Sequence, residues 1–334
     1  MKGFTKLLLC LFVSAVIFSG CSSDSGKIKM GLSLPTLREE RWAKDKGKML
    51  EEAKKLGITL KVQVSDNDAA KQVSQCENLI AQGIKILIVV PQDASSASVI
   101  VDKAHKAGIK VIAYDRMIMD CDLDLYVSFD NVKVGELQGK YITKAVPKGN
   151  YVVFMGAPTD NNARLFREGA MKYIKPLVDK GAIKIKMEQW IKDWQANEAQ
   201  KLMEQALTAN NNKIDAVLAP NDQTAGGCIQ ALAAQGLAGK VPVTGQDAEL
   251  AAVIRIAEGT QSMTVFKDTR ILGEKAVQAA FKMYNNEKPE TNAKISNGKM
   301  KVPSILCEPL TVDKANLEEA LVKTGYFKKN QIYR

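Results

Sequence analysis

The chain has 334 residues, 46% of them hydrophobic and 25% charged, a globular composition long enough for two domains of ordinary size. Its net charge of +10 is spread as Lys and Arg among acids rather than gathered in an arginine-rich arm, which argues for a solvated basic surface and against a nucleic-acid partner. The single histidine, His105, sits near a helix end and leaves serine-histidine hydrolysis without a base.

The predicted elements begin with a leader. Lys2 and Lys6 precede an apolar run over 7–18, too short for a comfortable membrane span, and residues 1–20 read as an export signal. Its ending, FSGC followed by SSDSG, resembles a bacterial lipoprotein processing box. On that reading Cys21 is lipidated and residues 21–27 tether the domain to the outer face of the cytoplasmic membrane. With Cys10 in the leader and Cys21 at its end, Cys76, Cys121, Cys228 and Cys307 remain, widely separated and never in a CxxC pair. Buried thiols are then expected, and no metal site.

From residue 27 short β-branched runs alternate with helical stretches. Strands are predicted at 27–34, 58–64, 86–91 and 110–116, with helices over 41–57, 69–83 and 97–108; ILIVVP (86–91) is apolar throughout, as a strand covered on both faces requires. The order then repeats. Strands at 150–156, 183–190, 214–222 and 241–247 alternate with helices around 163–181, 198–210 and 224–236. VIAYD near 115 answers PVTGQD near 247. After helix 248–258 come a strand at 262–268, a helix at 269–284, an exposed excursion at 290–300, a strand over 302–312 and a last helix. The expectation is α/β: two similar Rossmann-like parallel-sheet lobes.

Ligands of open parallel sheets sit beyond the carboxyl ends of the strands. Asp115 and Arg116 end one such strand in the first half; Asn221, Asp222 and Asp247 end others in the second. No GxGxxG follows the first strand, so dinucleotide binding lacks its phosphate cradle. Asp120, Asp122 and Asp124 alternate in DRMIMDCDLDLY, which reads as one solvated face before it reads as a metal site. Two carboxylates from Asp115, Asp222 and Asp247 could serve glycosidic acid/base chemistry. They could equally recognise a polyol, whose hydroxyls both donate and accept, with an Asp-Arg pair supplying both polarities. Trp42 and Trp194, one from each half, could present flat faces to a sugar ring or pack in the core.

Several stretches together carry a resemblance: LREERWAKD (37–45), VIAYDRMI (111–118), YVSFDNVKVGELQ (126–138), APTDNNARLFREG (157–169), QWIKDW (189–194), NDQTAGGCIQAL (221–232), VTGQDAELA (243–251) and GTQSMTVFK (259–267). Over about 28–330 the chain resembles the periplasmic sugar-binding proteins of the ribose/galactose type, and among them the D-xylose-binding branch of bacterial ABC transport. The resemblance implies the type I periplasmic binding protein fold, with three crossings near Asn131 to Val134, Gln261 to Thr264 and Pro303 to Cys307. The lobes would then be 28–132 with 264–304, and 133–263 with 305–334. It also implies sugar contacts at Arg41, Trp42, Asp115, Arg116, Asn162, Arg167, Trp194, Asn221, Asp247 and Lys267, with no cofactor. Asp222 would organise its strand end. Closure around D-xylose or a related pentose would be read by a membrane ABC permease, or alternatively by the extracellular domain of a sensor histidine kinase. A glycoside-processing enzyme is the alternative of another class. A sugar-responsive repressor of similar fold would need a DNA-binding module where the export signal stands.

Overall fold

Alternating apolar runs and amphipathic stretches set the first lobe, which a computed structural model describes together with the rest of residues 28–333. The export signal, Cys21 and the tether lie outside the described residues. Strands β1 (Ile28–Leu34), β2 (Ile58–Val64), β3 (Ile86–Val89), β4 (Lys110–Tyr114) and β5 (Leu125–Phe129) are separated by α1 (Glu40–Lys55), α2 (Ala69–Ala81) and α3 (Ser98–Lys106), with β5 following β4 directly. All four residues of β3 are buried, because helices cover both faces of a parallel sheet.

The second lobe follows with α4 (Asn131–Ala145), β6 (Gly149–Met155), α5 (Asn161–Asp179), β7 (Ile183–Trp190), α6 (Ala196–Ala209), β8 (Ala216–Leu218), α7 (Asp222–Ala234), α8 (Leu250–Glu258) and β9 (Met263–Phe266). The chain returns through α9 (Thr269–Tyr284), β10 (Ala293–Ser296) and β11 (Lys301–Cys307), then ends with β12 (Leu310–Asp313) and α10 (Lys329–Ile332). The first sheet has the order β10-β11-β5-β4-β3-β1-β2, parallel except for β10. The second is β7-β6-β8, carried on by single bridges Val217–Val243 and Gln246–Val265 to the antiparallel pair β9 and β12. This is the expected two-lobed α/β architecture.

The pairing locates the crossings. β5 and β11 lie in the first sheet while β9 and β12 lie in the second, so the chain passes between lobes at Asp130, at Lys267–Asp268 and at Glu308–Pro309. The last two fall a few residues beyond the expected segments, because β9 and β11 stay paired to their full length. Asp130 and Asp268 cap α4 and α9 with nearly identical backbones, φ/ψ −69/97° and −69/98°. Each carboxylate accepts from a backbone N–H in the first turn, Lys133 or Arg270, so both hinges are helix N-caps.

Other expectations are revised. Residues 241–247 form two isolated bridges rather than a strand. The excursion at 290–300 contains β10, an edge strand antiparallel to β11. The run 302–312 divides into β11 and β12, since its two halves pair with different sheets. The last helix is a π-helical segment, Glu318–Val322, followed by the short α10.

One packing detail positions the site. A Cβ on Gly135 of α4 would lie 1.9 Å from the Phe166 carbonyl oxygen, and one on Gly169 of α5 would lie 2.0 Å from that of Val132. The two glycines let α4 and α5 touch backbone to backbone, which fixes Phe166 beside the cleft.

Candidate functional site

Successive residues of a regular strand face opposite ways, so a neighbouring pair such as Asp115 and Arg116 cannot line one cavity while the strand continues. The chain solves this by turning. Asp115 has φ 58° and Asp247, at the matching point of the second lobe, has φ 95°. The turns are held alike: the Asp115 N–H donates to Val127 O of β5 and the Asp247 N–H to Val265 O of β9, both at 2.8 Å. The Asp115 carbonyl is fixed further by the hydroxyls of Tyr126 and Ser128, each at 2.7 Å, and by the Asn162 amide at 2.9 Å. Strain of this kind is retained where surrounding bonds over-determine the backbone.

The turned side chains line a small cavity between the lobes. Of the ten sequence-predicted contacts, nine border it: Arg41, Trp42, Asp115, Arg116, Asn162, Trp194, Asn221, Asp247 and Lys267. Arg167 does not. One residue beyond Phe166 on α5, it turns away from the cavity and pairs with Glu188 of β7 at 2.5 Å, in a separate surface pocket with Arg164 and Trp190. The cavity also has Glu39, Asp160, Phe166 and Gln246 in its wall, all outside the predicted set. Phe166 was recoverable, since it stands one helical turn after Asn162 on the same face.

Its electrostatics join the lobes. Arg41 of α1 reaches Asp115 Oδ2 at 2.8 Å and crosses to Asp247 Oδ1 at 3.3 Å, while its Nε is held by Asp45 at 3.1 Å. Lys267, at the second crossing, lies 3.0 Å from Asp247 and 3.6 Å from Asp115. Arg116 spans the cleft to Asp160 at 2.9 Å. Burial pushes the Asp115 carboxyl up, but Arg41, Lys267 and Arg116 together hold it below its ordinary value. Asp160 is shifted the other way, its burial outweighing Arg116. The wall therefore offers fixed acceptors and fixed cationic donors a few ångströms apart.

Neutral groups complete it. Asn221 caps α7, its side-chain oxygen accepting from Thr224 N–H at 3.0 Å and from the Thr224 hydroxyl at 2.7 Å. Asp222 is turned inward and organises the strand end, accepting from Gln261, Thr264 and the Glu249 N–H. Trp42 donates its indole N–H to Glu39 at 3.0 Å and carries the Arg41 guanidinium 4.4 Å from its ring centroid. Trp194 stands on a short turn where Asp193 and Trp194 have φ 50° and 58°, and its buried indole nitrogen has no hydrogen-bond partner among the described residues.

Trp194 depends on a glycine. A Cβ on Gly156 would sit 2.0 Å from its ring, and an aromatic ring cannot yield as a flexible side-chain tip can. Gly156→Ala is therefore expected to displace the indole and weaken ligand binding roughly tenfold or more at little change in fold. Calorimetric titration together with a thermal melt checks this, and unchanged affinity would remove Trp194 from the binding surface.

The carboxylate-rich segment after β4 is spent elsewhere. Asp122 pairs with Lys299 at 2.9 Å, and Asp124 accepts from His105 and from the Val111 N–H, each at 2.8 Å.

Comparison with known proteins agrees with this geometry. The periplasmic binding protein domain matches residues 30–288. The chain is 48% identical over 328 residues to the D-xylose-binding periplasmic protein of Haemophilus influenzae, covering 98% of this chain and 99% of that protein. It is 45% identical over 327 residues to the D-xylose-binding periplasmic protein of Escherichia coli K12, covering 98% and 99%. A carbohydrate transporter solute-binding protein from Chloroflexus aurantiacus, solved in complex with D-glucose, superposes with a TM-score of 0.86 at 35% identity, over 91% of this chain and 98% of that one.

Proposed function

The chain belongs to the periplasmic binding protein family, as an extracytoplasmic sugar carrier of the ABC-transport type rather than an enzyme, and from that premise we propose that its ligand is D-xylose or a closely related aldopentose. The observation that carries the proposal is the wall of the interlobe cavity, where Asp115 and Arg116 from one lobe and Asn221 and Asp247 from the other surround a single small space. Each sugar hydroxyl donates one hydrogen bond and accepts others, so a buried ring needs both polarities from both sides. The two indoles, Trp42 and Trp194, supply the apolar surface that the C–H faces of a pyranose require. The pentose assignment draws on the similarity to the two D-xylose-binding proteins.

In this reading the three crossings act as a hinge. The sugar favours the closed form by its differential affinity for it, and a membrane permease takes the sugar from the closed protein. Cys21 carries the lipid that holds the domain at the membrane; incorporation of a labelled fatty acid that persists in Cys21→Ala would contradict the anchor.

Calorimetry against D-xylose, D-ribose, L-arabinose and D-glucose tests the sugar. Because a relative at 35% identity holds glucose, discrimination against the extra hydroxymethyl is the informative comparison. D-xylose is expected to bind at least tenfold more tightly than the other three, a difference of about 1.4 kcal/mol. Tighter binding of glucose or ribose would overturn the pentose assignment and leave the carrier function standing.

A further inference from the structure

Among the described residues, the buried polar atoms without a hydrogen-bond partner include four in the cavity wall, on Arg41, Asp115, Trp194 and Gln246. The Arg41 and Asp115 atoms face each other as an ion pair at 2.8 Å, and Trp194 already belongs to the proposed sugar surface. Gln246 has no such account. It is 2% exposed, and its side-chain oxygen is buried with no donor to accept from among the described residues.

Its backbone carbonyl, by contrast, is engaged. The Gln246 carbonyl accepts from the Asp222 N–H at 3.0 Å and the residue bridges Val265 of β9. Gly245 before it packs closely on Asp222, since a Cβ there would lie 2.1 Å from Asp222 Oδ1. The turn at Asp247, φ 95°, brings two neighbouring side chains into one wall where a strand would separate them. The carboxamide thus stands in the same wall as Asp247.

We propose that Gln246 is a selectivity residue, reading one ring hydroxyl of the bound monosaccharide through its carboxamide. The inference rests on the sugar-binding function and adds to it a neutral contact among charged ones. Leaving a buried acceptor unpaired is costly, so a site built this way rejects a sugar lacking the matching hydroxyl more strongly than it prefers one apolar shape over another. Because an amide presents a donor and an acceptor, Gln246 suits a hydroxyl that does both.

The test is a double cycle of protein and ligand variants by calorimetry: wild type and Gln246→Leu, each against D-xylose and its monodeoxy analogues at every ring position. Gln246→Leu is expected to bind D-xylose at least tenfold more weakly. At one position, the loss that wild type suffers with the deoxy sugar should disappear in the variant. Affinity for D-xylose within twofold of wild type, or deoxy penalties unchanged at every position, would overturn the assignment. Gln246→Met, closer in length and flexibility, provides the same reading if the leucine variant does not fold. If wild type fails to bind D-xylose, the pentose assignment falls first, and the same cycle on the monosaccharide that does bind decides the role of Gln246.

Discussion

Asp115→Ala is expected to lose at least a hundredfold in sugar affinity. The carboxylate is buried between Arg41, Lys267 and Arg116, which together hold it ionised against the cost of its burial. Truncating one member of such a group deletes its bonds to the ligand and leaves the opposing cations without their counter-charge, a loss of about 3 kcal/mol or more in buried pairs. Arg41 would still be held by Asp45 and Asp247, so the helix carrying it should stay in place. Asp115→Asn separates the two contributions: it keeps the shape and one acceptor but removes the charge, and should fall between alanine and wild type. Calorimetry reads the affinity and a thermal melt reads the fold. Wild-type affinity in Asp115→Ala would take the residue out of the site.

The second large effect is on pH. At the rim of the cleft the N-termini of α1 and α8 meet, and each is capped by an acid from the other lobe: Glu40 N–H donates to Glu249 Oε1 at 3.3 Å, and Leu250 N–H to Glu40 Oε2 at 2.8 Å. A helix N-terminus attracts negative charge, yet Glu249 is pushed up from its ordinary 4.5 to about 9, by burial first and then by Asp222, Asp247, Glu40 and Glu39. The nearby cations are Arg255, on α8 itself, and Lys44, which is paired with Glu40 at 2.7 Å. Glu40 and Glu39 belong to lobe one, so their share of the shift is lost when the cleft opens, whereas Asp222 and Asp247 lie in the lobe of Glu249 itself and stay.

The sign follows. A group whose value is higher in the closed form than in the open one binds its proton more tightly there, so closure takes up protons between those two values. The contribution to closure is complete below the ordinary value and is lost as pH rises through about 9. At neutral pH wild type should take up a fraction of a proton per sugar bound, measured by calorimetry in buffers of different ionisation enthalpy. Glu249→Gln should abolish most of that uptake and flatten affinity between these limits. Asp222, raised to about 7 by burial and by Asp247, is bonded wholly within the second lobe and should remain as a small residual. Uptake that is nil in wild type, or unaltered in the glutamine variant, would contradict the linkage.

Much of this architecture was visible before any coordinates. The repeat placed Asp115 opposite Asp247, and the structure gives both the same left-handed turn and the same bond to the next strand. A strand-end acid-base pair was therefore legible as cleft lining from the βα pattern alone. The position of Arg167 outside the cavity wall has a simple origin: a motif fixes spacing along the chain, whereas 100° of rotation per residue on α5 decides which of Phe166 and Arg167 meets the cavity. Gln246 was missed because alternation sends it to the face opposite Asp247, and only the turn at φ 95° reverses that. The crossings were misplaced by a few residues for a related reason, since sheet pairing, which ends a lobe, is a long-range property.

The central claim is that both lobes hold one sugar through the ends of their strands, and a crystal structure of the protein with D-xylose tests it most directly. One pyranose is predicted in the cavity, within hydrogen-bond distance of Asp115 and Arg116 from the first lobe and of Asn221 and Asp247 from the second, between the indoles of Trp42 and Trp194, with Arg167 still on Glu188. A sugar bound to one lobe alone, or outside that cavity, would contradict the account.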